Sequence, residues 1–116
     1  MMPIMINYNF GDILLVPFPF TNQLSSKKRP AVVISSLPYN SAKPDLIIMP
    51  VTSQIKPTQE LGEFRVSNWE KAGLLKPSAI KPVITTIEKH LILKQLGQLQ
   101  EADQYSLCEI IKIIIG

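Results

Sequence analysis

Three apolar bursts each abut a proline: Ile13-Leu14-Leu15-Val16 runs into Pro17, Ala31-Val32-Val33-Ile34 follows Pro30, and Leu46-Ile47-Ile48-Met49 runs into Pro50. A burst of that length suits a buried strand, whereas a buried helix needs roughly ten or more residues. A proline has no N–H for a ladder, so it confines such strands to edges, ends and bends of a sheet. The chain is therefore held to short strands in a sheet interrupted again and again. Strands are predicted over residues 12–18, 30–36 and 45–52, with the polar stretch from Thr21 to Lys28 as a loop between the first two. Glu63-Phe64-Arg65-Val66 alternates polar and apolar, which predicts a fourth strand wetted on one side. A fifth is predicted over 78–87, where Pro82 implies an edge or a bulge.

Helix signals are few. Ser67 to Leu74 fits one helical turn with a Ser or Asn start and a stop at Gly73. Residues 89–99 read equally as strand or helix, with Gly97 favouring a bend. Leu107, Ile110, Ile111 and Ile114 recur at the spacing of one helix face, predicting a terminal helix over about 101–114. The fold class that follows is mostly β: a small, strongly bent antiparallel sheet of the barrel type, with a short helical turn and a C-terminal helix.

At 116 residues the chain suits a single domain spanning 1–116, since a second core would leave each half too small. With 46% hydrophobic and 18% charged residues it lies far from the composition of disordered chains. No apolar stretch approaches the ~20 residues of a membrane span, and the opening residues lack the layout of a secretory signal. The lone Cys108 cannot form an intrachain disulfide, and no cluster of His or Cys suggests a zinc site, so a reducing cytoplasm is expected and no cofactor or metal. Cys108 itself, between Leu107 and Ile110, reads as a packed small hydrophobe. The formal charge of +3 permits a polyanionic partner without demanding one.

Three segments, in order, resemble the PemK/MazF toxins. Gly11-Asp12-Ile13-Leu14-Leu15-Val16 is similar to that family's opening strand, Lys28-Arg29-Pro30-Ala31-Val32-Val33-Ile34-Ser35 to its basic loop and Arg-Pro strand, and Pro50-Val51-Thr52-Ser53 to the strand end that carries a hydroxyl pair. Ala72-Gly73-Leu74, Ser78, Thr85-Thr86-Ile87 and the final helix continue the likeness over nearly the whole chain. The resemblance implies an SH3-like barrel that forms a homodimer, cleaves single-stranded RNA without a metal, and is neutralised by a cognate antitoxin. It puts Arg29 on the family's loop-to-strand arginine and Thr52, with Ser53 alongside, on its catalytic hydroxyl. Two departures stand out: positions where some members carry Arg and Asp hold Ile80 and Pro82 here, with Lys81 the nearest cation, and the loop before Arg29 lacks an acidic residue.

These residue types suit phosphoryl chemistry. When a 2′-hydroxyl attacks the adjacent phosphorus, charge develops on the pentacovalent phosphate, and a guanidinium presents a planar fork of donors to it. Arg29 is assigned that role. It is a poor base, since its free pKa above ~12 leaves almost no neutral form near pH 7. The hydroxyls of Thr52 and Ser53 can donate to a non-bridging oxygen or orient the 2′-OH. Lys27, Lys28 and Lys81 are candidate phosphate contacts, and Phe20 a candidate base-stacking residue. Phe18 reads as core, and His90 as a residue outside the site. A different class of function stays open, a non-catalytic barrel that binds RNA or poisons a protein target such as gyrase, which the departures at Ile80 and Pro82 favour.

Overall fold

The computed structural model describes residues 7–18 and 27–116. Its elements in chain order are β1 (Asp12–Phe18), β2 (Lys27–Val33), α1 (Leu37–Ala42), β3 (Asp45–Thr52), β4 (Phe64–Arg65), β5 (Ala79–Ile80), β6 (Thr85–Glu88), a 3-10 turn (Lys89–Leu91), β7 (Lys94–Gln98) and α2 (Glu101–Ile115). All pairings are antiparallel, in the order β4-β5-β3-β2-β1-β7, with β6 also on β3. The result is a strongly curled half-barrel of short strands, although Pro17, Pro30 and Pro50 lie within β1, β2 and β3 rather than bounding them, and β2 and β3 are interior strands.

Strand β3 is the axis because both its edges are occupied. One edge pairs with β2 from Ala31↔Pro50 to Val33↔Ile48. The other meets β6 from Asp45↔Glu88 to Ile48↔Thr85 and then β5 at Val51↔Ile80 and Thr52↔Ala79. The expected single strand over 78–87 is thus two short strands. Pro82 cannot donate to a ladder, and the Val83 N–H turns back to the Lys81 carbonyl at 2.8 Å, so pairing with β3 stops and resumes. Strand β2 begins at Lys27 rather than in the 30–36 window, because β1 runs on to Phe18 and pairs with it there. Residues 21–26 of the expected loop lie outside the described residues.

The sheet separates two apolar clusters, as the two-residue period of a strand requires. Ile13, Val32, Met49, Val51 and Ile80 pack with Leu107 under α2, with Ile111 and Ile114 against them. Leu14, Val16, Ala31, Val33, Leu46 and Ile48 form the second cluster. Cys108 is exposed, not packed, because it sits about 100° around the helix from Leu107 and off the buried stripe. Helix α1 had clear signals that periodicity does not register: Ser36 as N-cap, its hydroxyl accepting from the Tyr39 N–H at 3.4 Å, and Pro38 in the first turn. It delivers the buried Asn40, whose amide donates to the Tyr8 and Ser35 carbonyls at 2.9 and 3.0 Å.

Residues 67–74 form a single turn rather than a regular helix, and its ends are closed by particular groups. The Asp103 carboxylate of α2 accepts from the Ser67 and Asn68 N–H groups at 3.1 and 2.9 Å, so the start is capped from α2 and not by its own Ser or Asn. The stop is the expected Gly73: at φ +91 it donates to Glu70, while Leu74 donates to Trp69, which is the paired bonding of a Schellman motif. A β-carbon on Gly73 would lie 2.2 Å from the Leu96 carbonyl oxygen, and one on Gly97 2.2 Å from that of Ala72. The turn and β7 therefore touch backbone to backbone.

Asp12 is 2% exposed and accepts from the Asn9 N–H at 2.9 Å. Burial, the larger influence, raises its carboxyl above the ordinary carboxylate value, while hydrogen bonds from Asn9 and Gln95 partly offset this. A raised folded-state pKa means the folded protein holds this proton more tightly than the unfolded chain. Asp12 thus contributes stability below its unfolded pKa, and that contribution is lost as pH rises through the folded value.

Two predictions follow from this packing. Gly97→Ala should cost ~1–3 kcal/mol by overpacking, read as a lower urea midpoint at unchanged m-value; an unchanged midpoint would show that the two backbones are not locked together. Asp12→Asn removes a titrating carboxyl, so the melting temperature of the wild type relative to the variant should be higher at pH 4 than at pH 7, and equal differences at the two pH values would contradict the assigned shift.

Candidate nucleic-acid interface

The β2–β3 ladder ends at Ala31↔Pro50. Beyond it β2 carries Pro30, Arg29 and Lys28 and β3 carries Val51 and Thr52, with Ser53 following. On its other edge β2 pairs Pro30 with Leu15, and Leu15 in turn pairs with Lys94 of β7. Lys94, Leu15 and Pro30 thus make one row across three strands, and opposed residues of an antiparallel sheet project to the same side. With Val51 of β3 they line an open groove of about 670 Å³. Arg29 and Thr52, one step outward, border it at the end of the ladder, together with Lys27, Lys28, Ser53 and Gln54. The opposite wall is the segment 73–78 that follows the Gly73 stop, contributing Leu75 and Lys76 among others.

Five of the twelve basic residues line this groove, Lys27, Lys28, Arg29, Lys76 and Lys94, and none of its lining residues is acidic, histidine or cysteine. Arg29 is half-buried with Nε enclosed, which limits the conformations of its head group, whereas the lysines are exposed. Thr52 Oγ1 accepts from the Gln54 N–H at 3.1 Å, a turn-forming bond. That bond uses a lone pair, so the Thr52 hydroxyl hydrogen is directed elsewhere. The arrangement brings a guanidinium, two hydroxyls and four ammonium groups to one groove, the residue types that phosphate oxygens accept from.

A second groove, of about 800 Å³, differs in sign and in face. It is lined by Phe18, Ile48 and Ile87 from the other cluster, and its charged residues are Asp45 and Glu88 alone. An acidic groove repels a polyanion, so the basic one is the candidate.

The groove unites five of the seven residues singled out from the sequence: Arg29, Thr52, Ser53, Lys27 and Lys28. Lys81 is not among its lining. Its ammonium lies 3.2 Å from Glu63 and 3.7 Å from Glu60, and Glu63 is only 4% exposed, so the charge of Lys81 is engaged by a buried carboxylate. Phe20 lies outside the described residues. His90 is on the exposed 3-10 turn, 3.2 Å from Glu88 and away from the groove. Ile80, where some PemK/MazF members carry a charged residue, is fully buried. Nothing local in the sequence marks Lys76 and Lys94: Lys94 reaches the groove through the pairing of β7 with β1, between segments about 80 residues apart, and Lys76 through the contact of the Gly73 turn with β7.

No curated protein matches the chain in sequence. Among solved structures it is similar to an endoribonuclease in complex with its cognate antitoxin from a mycobacterial species, at 14% identity and TM-score 0.75 over 97% of this chain and 96% of that one. It is similar to the Mycobacterium tuberculosis toxin MazF-mt6 at 19% identity and TM-score 0.72, over 90% and 95% of the two chains. It is similar also to MazF from Deinococcus radiodurans at 18% identity and TM-score 0.75, over 97% and 99%. At such identities the likeness speaks for the fold. The sequence itself matches the family described as PemK-like, MazF-like toxin of type II toxin-antitoxin system over residues 9–115, and the chain belongs to that family.

Proposed function

We propose that the chain is the toxin of a toxin-antitoxin pair and an endoribonuclease that cleaves single-stranded RNA in the cytoplasm, working as a homodimer and held inactive by a cognate antitoxin. Toxins of this family are generally endoribonucleases. One observation of this chain carries the reading furthest: Arg29 and the hydroxyls of Thr52 and Ser53 border a groove that gathers five cations and no carboxylate.

The chemistry assigned to it is transesterification. The 2′-oxygen attacks the adjacent phosphorus as its proton departs, the P–O5′ bond breaks, and the leaving 5′-oxygen takes up a proton. The products are a 2′,3′-cyclic phosphate and a 5′-hydroxyl, with no water consumed and no metal needed to balance the step. Arg29 holds the non-bridging oxygens, which are charged in the substrate and more so in the phosphorane, and the part of the contact that strengthens with that added charge raises the rate. Thr52 and Ser53 donate to the same oxygens or orient the 2′-OH. The lining supplies charge more readily than it supplies a base, and this favours one alternative, a family member that binds RNA without cutting it.

The test is purified protein, free of antitoxin, incubated with a long mixed-sequence single-stranded RNA in the presence of EDTA. Discrete fragments with 5′-hydroxyl ends are expected, with kcat reduced by about 100-fold or more in Arg29→Ala and in Thr52→Ala, the loss typical of removing one fixed donor. Intact RNA from folded wild-type protein would sink the nuclease reading and leave the binding one.

A further inference from the structure

The far side of the groove has a pair of cations that the reaction as described does not use. Lys94 opens β7 in the row Lys94–Leu15–Pro30, two strand spacings from β2 and hence about 10 Å from Pro30. Lys76 stands on the opposite wall. Its carbonyl accepts from the Ser78 hydroxyl at 2.8 Å, Ser78 is 5% exposed, and the wall begins at Gly73, whose backbone rests on β7. Both lysines are exposed yet carried on fixed backbone. Among the described residues neither belongs to an ion pair, whereas Lys81 and Lys112 do. The nine acidic residues all lie away from the groove's lining.

We propose that Lys76 and Lys94 bind backbone phosphates of the RNA strand beyond the scissile one, so that the strand crosses the sheet from Lys27 and Lys28, past Arg29, to the β7 side. This rests on the ribonuclease reading above. The separation suits more than one phosphate: about 10 Å between the backbones of Lys94 and Pro30 exceeds the ~3.4 Å spacing of successive charges along a stacked strand, so a strand lying across the sheet presents several phosphates over that span. A lysine is a point charge without the fork that fixes a phosphate's orientation, which suits contacts that hold the strand rather than act on it. The two are therefore positioning residues for RNA, and their loss falls on binding.

The experiment measures binding of a labelled single-stranded RNA as a function of salt, with Thr52→Ala as the background so that the RNA stays intact. Lys76→Gln, Lys94→Gln and the double substitution are added to it, beside Lys43→Gln outside the groove. Each groove substitution should lower the slope of log affinity against log salt by ~0.7, and weaken binding roughly five-fold at 0.1 M salt, while Lys43→Gln changes neither. Lys76→Arg and Lys94→Arg should restore the slope, which a purely structural role would not predict. Unchanged slopes in protein that still binds RNA would overturn this proposal and leave the nuclease reading standing. A background that binds no RNA, from a wild type that cuts none, would overturn both.

Discussion

The contact between the backbones of Gly73 and Gly97 is the constraint on which the groove depends. Neither position has room for a single carbon, and Gly73 also adopts a left-handed conformation that L side chains rarely take. The turn that ends at Gly73 can therefore lie directly on β7, and the segment that follows becomes a wall instead of a loop standing off in solvent. Asp103 secures the other end of that turn from α2, using two charge-assisted hydrogen bonds within a nearly inaccessible carboxylate. The helix that closes the core thus also sets the position of the wall. Packing on one side of the sheet and the shape of the groove are parts of the same arrangement.

Within that shape the division of labour is electrostatic. Arg29 is half-buried beyond the last β2–β3 pair, on a stretch of β2 that still pairs with β1 at Val16. Thr52 reaches the same place because β3 continues past β2 to pair with β5, which holds the strand straight for two residues more. A chain that ended β3 at Pro50 would have no structured hydroxyl beside its arginine. The short β5, only two residues long, matters to the site through that extension.

Much of this was legible from local pattern. Strands β1 and β3 lie where their apolar bursts predict, and α2 follows the buried stripe of Leu107, Ile111 and Ile114. The departures come from interactions between distant segments. Residues 78–87 carry enough β-branched side chains for one strand, but the missing N–H of Pro82 divides it, and only the course of β3 shows that both halves share an edge. Residues 89–99 have no decisive period, because β7 is defined by pairing with β1 through an irregular register at Ile13 and Leu14. Lys81 looked available for phosphate since its carboxylate partner Glu63 is 18 residues away in sequence. Lys76 and Lys94 were invisible for the converse reason, being ordinary exposed lysines until the fold brings them to one groove.

The two grooves differ in sign, and they draw their apolar linings from opposite sides of the sheet. A small net charge conceals this, because a formal +3 says nothing about how the charge is distributed. Basic groups cluster at one mouth, while Asp45 and Glu88 are the charged residues of the other. The two mouths thus present opposite signs to an approaching ligand. A polyanion that drifts within a Debye length, ~8 Å at physiological ionic strength, exerts a torque as well as a pull, turning the basic mouth towards itself before any atom touches. For the RNA ligand proposed above, an approach that begins badly oriented would be corrected in solution before contact.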